Sequence, residues 1–139
     1  MPTVSEVMTR NPVNVRTTAT LAIAAQLMRD REIGDVLVVR EDGSLCGLVT
    51  DRDLVVKGLA EGLDANSATI EEICGHNPVT LSSDQTVKDA VKLMREHDIR
   101  RLPVVDGGDL VGIVSLGDLA IEKDPGSALA DISQAPPNN

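Results

Sequence analysis

Two hydroxyl–carboxylate pairs, Thr50 with Asp53 and Ser115 with Asp118, stand at matching places in this chain. In each, an apolar, strand-like run meets a hydroxyl, and a carboxylate follows three positions later at the opening of a helix-like segment. A strand running into a helix start leaves unpaired backbone N–H groups and a positive dipole end beside those two side chains. Such a junction can hold a phosphorylated sugar, since an ionised carboxylate accepts two hydrogen bonds and matches adjacent sugar hydroxyls. A third element of the chemistry is Arg100-Arg101. The planar guanidinium fork donates to phosphate and keeps its charge. Two such junctions in one small chain point to a binding module rather than a catalyst. Thr50 to Asp53 and Ser115 to Asp118 are equally the spacing of a capped helix start, which needs no ligand. Arg100 and Arg101 could likewise serve only to pair with surface carboxylates.

The elements that carry these residues occur twice. A shift of 66 positions lays Thr3 on Thr69, Glu6 on Glu72, Asn11-Pro12-Val13 on Asn77-Pro78-Val79, and Leu27-Met28-Arg29 on Leu93-Met94-Arg95. After a turn one residue shorter, a shift of 65 lays Leu45 on Leu110, Gly47 on Gly112 and Asp53-Leu54 on Asp118-Leu119. Each copy opens with a turn that has capping-box spacing, Thr3 to Glu6 or Thr69 to Glu72. Asn-Pro then forces an extended segment, Val13-Asn14-Val15 or Val79-Thr80-Leu81. Apolar residues at Leu21, Ala24, Ala25 and Met28, and at Val87, Ala90, Val91 and Met94, trace one stripe of an amphipathic helix in each copy. Two apolar runs follow, 36–39 with 45–49 and 102–105 with 110–114, joined by short polar links and read as hairpins. A last helix is expected from Asp51 to about Glu61, and its counterpart from near Leu116. The order is β-α-β-β-α, twice, an α/β (α+β) architecture. One unit has a sheet face it cannot cover alone, so the repeats are expected to pack about a pseudo-twofold axis. The boundaries read as 1–62 for the first motif, 63–123 for the second, and a flexible tail over 124–139.

Composition narrows the function. The chain has 139 residues, 42% of them apolar and 25% charged, enough for a real core. A formal net charge of -9 and the absence of any Phe, Tyr or Trp argue against nucleic acid, which is held by basic residues and aromatic stacking. The same charge argues against anionic membranes. Cys46 and Cys74 have no CxxC spacing and read as small buried hydrophobes, with a disulfide or redox role as the alternative. His76 and His97 lack clustered partners, so no metal site is expected. Asp51 and Arg52 read as solvated first-turn residues. No Ser-His-Asp, paired-carboxylate or phosphate-loop pattern is present, and no catalytic residue is assigned. The start, Met1-Pro2-Thr3-Val4, lacks a basic and apolar leader, and no run could span a bilayer, so a soluble cytoplasmic protein is expected.

Gly-apolar-Val-Thr-Asp-Arg-Asp at 47–53, with apolar-Pro-Val-Val-Asp at 102–106 in the second copy, resembles the cystathionine-β-synthase (CBS) domain. Two in tandem resemble a CBS pair, or Bateman module, of the small stand-alone bacterial type. The resemblance implies a regulatory, non-enzymatic module, acting as a homodimer, that binds an adenosine-containing ligand in a cleft between the motifs. AMP, ADP, ATP and S-adenosylmethionine are the candidates, no cofactor is required, and an unidentified protein partner would read the signal. By the same resemblance Asp53 and Asp118 would bind ribose hydroxyls. Thr50 or Ser115 would contact phosphate with Arg100 and Arg101, and Ile33 and Ile99 would flank the base. The first copy departs from this pattern, because Gly34-Asp35 stands where the second has Arg100-Arg101. An aspartate there repels phosphate, so one competent site is expected, and one that is weak, empty or specific for something uncharged. The alternative is a ligand-free interaction or stress-adapted structural protein that keeps the fold.

Overall fold

The computed structural model describes residues 2–75 and 78–123, with side chains described as far as residue 120. The expected tail over 124–139, and His76 and Asn77, lie outside the described residues. Most of the two apolar stripes forms the inner sides of α2 (Leu21–Arg31) and α4 (Val87–His97), but Ala25 is exposed and Val91 half-buried. Leu21, Ala24 and Met28 are buried on the first, and Val87, Ala90 and Met94 on the second. Burying each of the larger side chains contributes about 1.5–3 kcal/mol. Thr20 and Thr86 cap the helices, accepting from the N–H groups of Ile23 and Asp89 at 3.2 Å each. Both helices end on a left-handed residue, Glu32 (φ 55°) or Asp98 (φ 53°). The next N–H then folds back, Ile33 onto the Met28 carbonyl and Ile99 onto that of Met94, at 3.0 Å each. This termination turns the chain directly into a strand.

Both expected hairpins form. In the first, β3 (Asp35–Val39) pairs antiparallel with β4 (Leu45–Thr50), and β2 (Asn14–Arg16) adds parallel to β3. In the second, β5 (Arg101–Asp106) pairs antiparallel with β6 (Asp109–Ser115). The opening strand expected over Val79-Thr80-Leu81 shrinks to one parallel bridge, Leu81 with Val104. The cause is Pro103. In the first repeat the Leu37 N–H donates to the Val13 carbonyl at 3.3 Å. Pro103, at the position matching Leu37, has no N–H to give, and the ladder stops.

The second sheet instead gains a strand not anticipated, β1 (Thr9–Arg10), so its order is β1-β6-β5. It follows α1 (Val4–Val7), the first capping turn, and pairs Thr9 with Ile113 and Arg10 with Gly112. The chain therefore sorts into two compact units that cut across the repeats. One holds residues 2–12 with 79–123, the other 13–75 with Pro78. Matching backbone bonds hold each leading segment on the other repeat's elements. Val4 donates to Gln85 (2.7 Å) and Ser5 to Ser83 (3.0 Å). Likewise Ile70, in the 3-10 turn Ile70–Glu72, donates to Ala19 (2.7 Å), and Glu71 to Thr17 (3.3 Å). Each unit encloses its own aliphatic core, one around Val36, Val38, Val49 and Ile70, the other around Leu81, Leu102, Val104 and Leu119.

The helix expected from Asp51 to about Glu61 divides. A short α3 (Asp51–Asp53) widens into a π-helical stretch over Leu54–Leu59, closed by i to i-5 bonds such as Ala60 N–H to the Val55 carbonyl at 2.8 Å. There Gly58 comes so near Leu21 that an added Cβ would stand 3.0 Å from its methyl. Its counterpart, α5 (Leu116–Lys123), is regular. Among the described residues, no helix is long and apolar enough to cross a membrane.

Candidate functional site

In the unit formed by residues 2–12 and 79–123, the left-handed exit from α4 delivers Ile99, Arg100 and Arg101 to the start of β5. Ile99 is half-buried against the core, while both arginines are exposed. The antiparallel register sets Arg101 directly opposite Ser115, the last residue of β6. The Leu116 N–H donates to the Arg100 carbonyl at 2.8 Å, so strand start and helix start are tied together. Asp118 lies one turn into α5. Its N–H donates to Ser115 Oγ at 3.1 Å, and its Oδ2 accepts the Ser115 N–H at 2.9 Å. One hairpin end thus gathers Ile99, Arg100, Arg101, Ser115 and Asp118. Asp118 Oδ1 takes no hydrogen bond among the described residues.

The other unit builds the same junction with different charges. Asp35 stands opposite Thr50, and the Asp51 N–H donates to the Gly34 carbonyl at 2.9 Å. Thr50 and Asp53 form the same box, at 3.1 Å and 2.9 Å. Here Asp53 Oδ1 also faces Lys57 Nζ at 3.5 Å. The Asp51 carboxylate lies over the bare face of Gly34, where an added Cβ would stand 3.4 Å from Oδ2. Where the second repeat offers two guanidinium groups, the first offers Asp35 and Asp51, with Ile33 half-buried beside them. The residues predicted from sequence therefore fall into two sets, Ile33, Thr50 and Asp53 in one unit and the remaining five in the other.

Both hydroxyl–carboxylate spacings are thus complete capping boxes, the reading that needs no ligand. Sequence reasoning missed one residue here. Lys57 was legible as the cation four places after Asp53. Asp51 is exposed, as read, and its carboxylate also lies over Gly34. Cys46 and Cys74 are free and buried, as expected for small hydrophobes. An apolar hollow of about 110 Å³ lies elsewhere, among Leu21, Ala25, Leu54 and Leu63. It is too small for a nucleoside, since small-molecule sites begin near roughly 300 Å³. Among the described residues no group of three His, Cys, Asp or Glu side chains is placed to hold a metal.

The chain is 39% identical over 137 residues to the CBS domain-containing protein YhcV of Bacillus subtilis, covering 96% of each. It is 38% identical over 120 residues to hypoxic response protein 1 of Mycobacterium tuberculosis, covering 86% of this chain and 84% of that one. A crystal structure of hypoxic response protein I, with two coordinated zinc ions, superposes with a TM-score of 0.79 at 38% identity, over 85% of this chain and 96% of that one. The structure of CBSX2 in complex with AMP gives a TM-score of 0.77 at 25% identity, over 88% of this chain and 96% of that one. The model of the CBS domain matches residues 4–58 and again 70–123. With both repeats matched and the α+β fold shared, this chain belongs to the CBS-domain family and carries two copies of the motif.

Proposed function

We propose that the chain is a regulatory module that senses an adenosine-containing ligand, AMP, ADP, ATP or S-adenosylmethionine, and that its competent site is the one with the arginine pair. The observation that carries this reading is the meeting of Arg100, Arg101, Ser115 and Asp118 at one hairpin end. Asp118 caps its helix with Oδ2 and offers Oδ1 to a ribose hydroxyl. Ser115 and the two guanidinium groups take phosphate, and half-buried Ile99 supplies an aliphatic wall for the base in a chain without aromatic rings. Thr50, Asp53 and Ile33 form the weaker counterpart. Asp35 and Asp51 repel phosphate there, and Lys57 already engages the ribose-binding carboxylate. The AMP held by the neighbouring CBSX2 structure supports the ligand class.

Signalling follows from differential affinity, since a ligand shifts a conformational equilibrium only by binding one state better. The module acts as a homodimer in this reading. Val55, Val56 and Leu59, the last 75% exposed, leave an aliphatic face on the π-helical segment for a second copy. Light scattering of wild type against Leu59→Lys tests this, and a wild-type monomer at every concentration would overturn it. The second reading is a ligand-free interaction protein, favoured by the closed capping boxes. Titration calorimetry with the four ligands separates the two. Micromolar binding of one of them, about -8 kcal/mol, is expected, and no heat at millimolar concentration leaves the interaction protein standing.

A further inference from the structure

Cys46 and Cys74 belong to one core, in the unit formed by residues 13–75 and Pro78. The ladder between β3 and β4 slips by one residue, Val38 pairing with Gly47 and Val39 with Leu45, so Cys46 is the extra residue of a β-bulge. Cys74 follows the 3-10 turn and packs on the bare α-carbon of Gly47. A Cβ there would stand 2.7 Å from its Sγ and 2.7 Å from the Gly75 carbonyl oxygen. The Cys74 thiol donates to the Gly75 carbonyl at 3.5 Å, and Cys46, buried in the same core, is near enough to raise its pKa. The second repeat supplies an internal control. The same bulge occurs at Val111, and Gly112 is packed by Met8 instead. Val111 and Met8 stand where Cys46 and Cys74 stand, so the fold needs only apolar side chains at these places. The paired thiols are an addition to it.

We propose that Cys46 and Cys74 form a redox latch, in which a peroxide oxidant joins the two sulfurs and so ties the segment linking the repeats to β4. Burial, and after it the nearby Cys46 thiol, pushes the Cys74 thiol up to about 12. Thiolate is therefore scarce while the segment is closed. Reaction waits on local opening of the short turn at Ile70–Glu72 and the residues after it. The opened Cys74 thiolate attacks hydrogen peroxide, taking one oxygen as sulfenic acid and releasing hydroxide, which is protonated to water. On reclosure the Cys46 sulfur displaces the sulfenic oxygen as a second water and leaves the disulfide. Two thiols and one peroxide become one disulfide and two waters.

The test treats the whole chain with hydrogen peroxide and follows alkylatable thiols, intact mass and thermal unfolding. The expected product is a single chain that has lost two hydrogens and has no alkylatable thiol. Its unfolding midpoint is about 10 °C higher, from closing a loop of roughly 30 residues, and a dithiol reductant restores the original value. Cys46→Val and Cys74→Met, which borrow the second repeat's own residues, abolish that rise. The proposal is overturned by thiols that stay alkylatable while the urea-unfolded chain is oxidised. It is equally overturned by a bond between two chains, by sulfinic acid on Cys74, or by an unchanged midpoint. Should either variant fail to fold, the mass and alkylation of wild type decide.

Discussion

Asp118→Asn separates the two roles that geometry allows this carboxylate. The amide keeps an oxygen to accept the Ser115 N–H now bound at 2.9 Å, and the Ser115 hydroxyl still caps the Asp118 N–H. What the helix loses is one negative charge at its N-terminus, about 0.3–1 kcal/mol. For a chain of this size that lowers the unfolding midpoint by a few degrees at most. A ribose loses more. A hydrogen bond to a charged group contributes about 1.5–3 kcal/mol, and the amide leaves only its N–H₂ group where Oδ1 stood. AMP affinity should therefore fall by roughly 10- to 100-fold. The matched control is Asp53→Asn, which loses the same cap charge and an ion pair with half-exposed Lys57 worth about 0–1 kcal/mol. That control should shift stability similarly and leave the main binding event unchanged. Calorimetry with AMP and ligand-free thermal unfolding, run on both variants, give the two readouts. Asp118→Asn binding AMP within twofold of wild type would reduce the carboxylate to a helix cap. Equal weakening by Asp53→Asn would refute the selection of one site by the arginine pair.

Gly112→Ala should destabilise the chain by about 1–3 kcal/mol, because the new Cβ meets the Thr9 carbonyl at 2.9 Å and forces β1 off β6. Urea unfolding measures this, and a change below 0.5 kcal/mol, about the spread of neutral surface substitutions, would contradict the close approach. Asp106 accepts from the Ser83 N–H at 2.9 Å and its hydroxyl at 2.5 Å, which hold its carboxyl below the usual range, the hydroxyl bond foremost. A lowered folded value means stability present above the ordinary carboxylate pKa and lost as pH falls through the folded one. Asp106→Asn should flatten that part of the acid limb, and superimposable profiles between pH 5 and 2 (a window set by roughly ordinary carboxylate values) would show that the bonds add nothing.

Much of this was legible because it is local. The stripes at Leu21, Ala24 and Met28 and at Val87, Ala90 and Met94 repeat with helical period, and both became buried helix faces. The hairpins announced themselves as apolar runs around short polar links. The capping spacing of Thr50 with Asp53 and Ser115 with Asp118 is a three-residue relation, and it formed as read. What stayed hidden depends on distant partners. Nothing near Thr9 says that it pairs with Ile113, and the exchange of leading segments rests on bonds such as Val4 to Gln85. The loss of the strand at Val79 was decided by Pro103, whose missing N–H matters only once the register is known. Asp51 is exposed, as its place in the first turn suggests, but its approach to Gly34 is reached only through the strand-to-helix crossing. The gathering of both thiols in one core depends on the bulge at Cys46 and on the exchanged segment carrying Cys74.

The central claim is that a phosphate meets Arg100 and Arg101. It is tested most directly by the affinities of adenosine and AMP for wild type and for the Arg100→Ala/Arg101→Ala double variant. AMP is expected to bind wild type more tightly than adenosine by roughly 10-fold or more, the scale of a charged hydrogen bond, and the variant is expected to bring the two ligands together. An AMP preference that survives the loss of both arginines, or wild type that binds neither ligand, would contradict it.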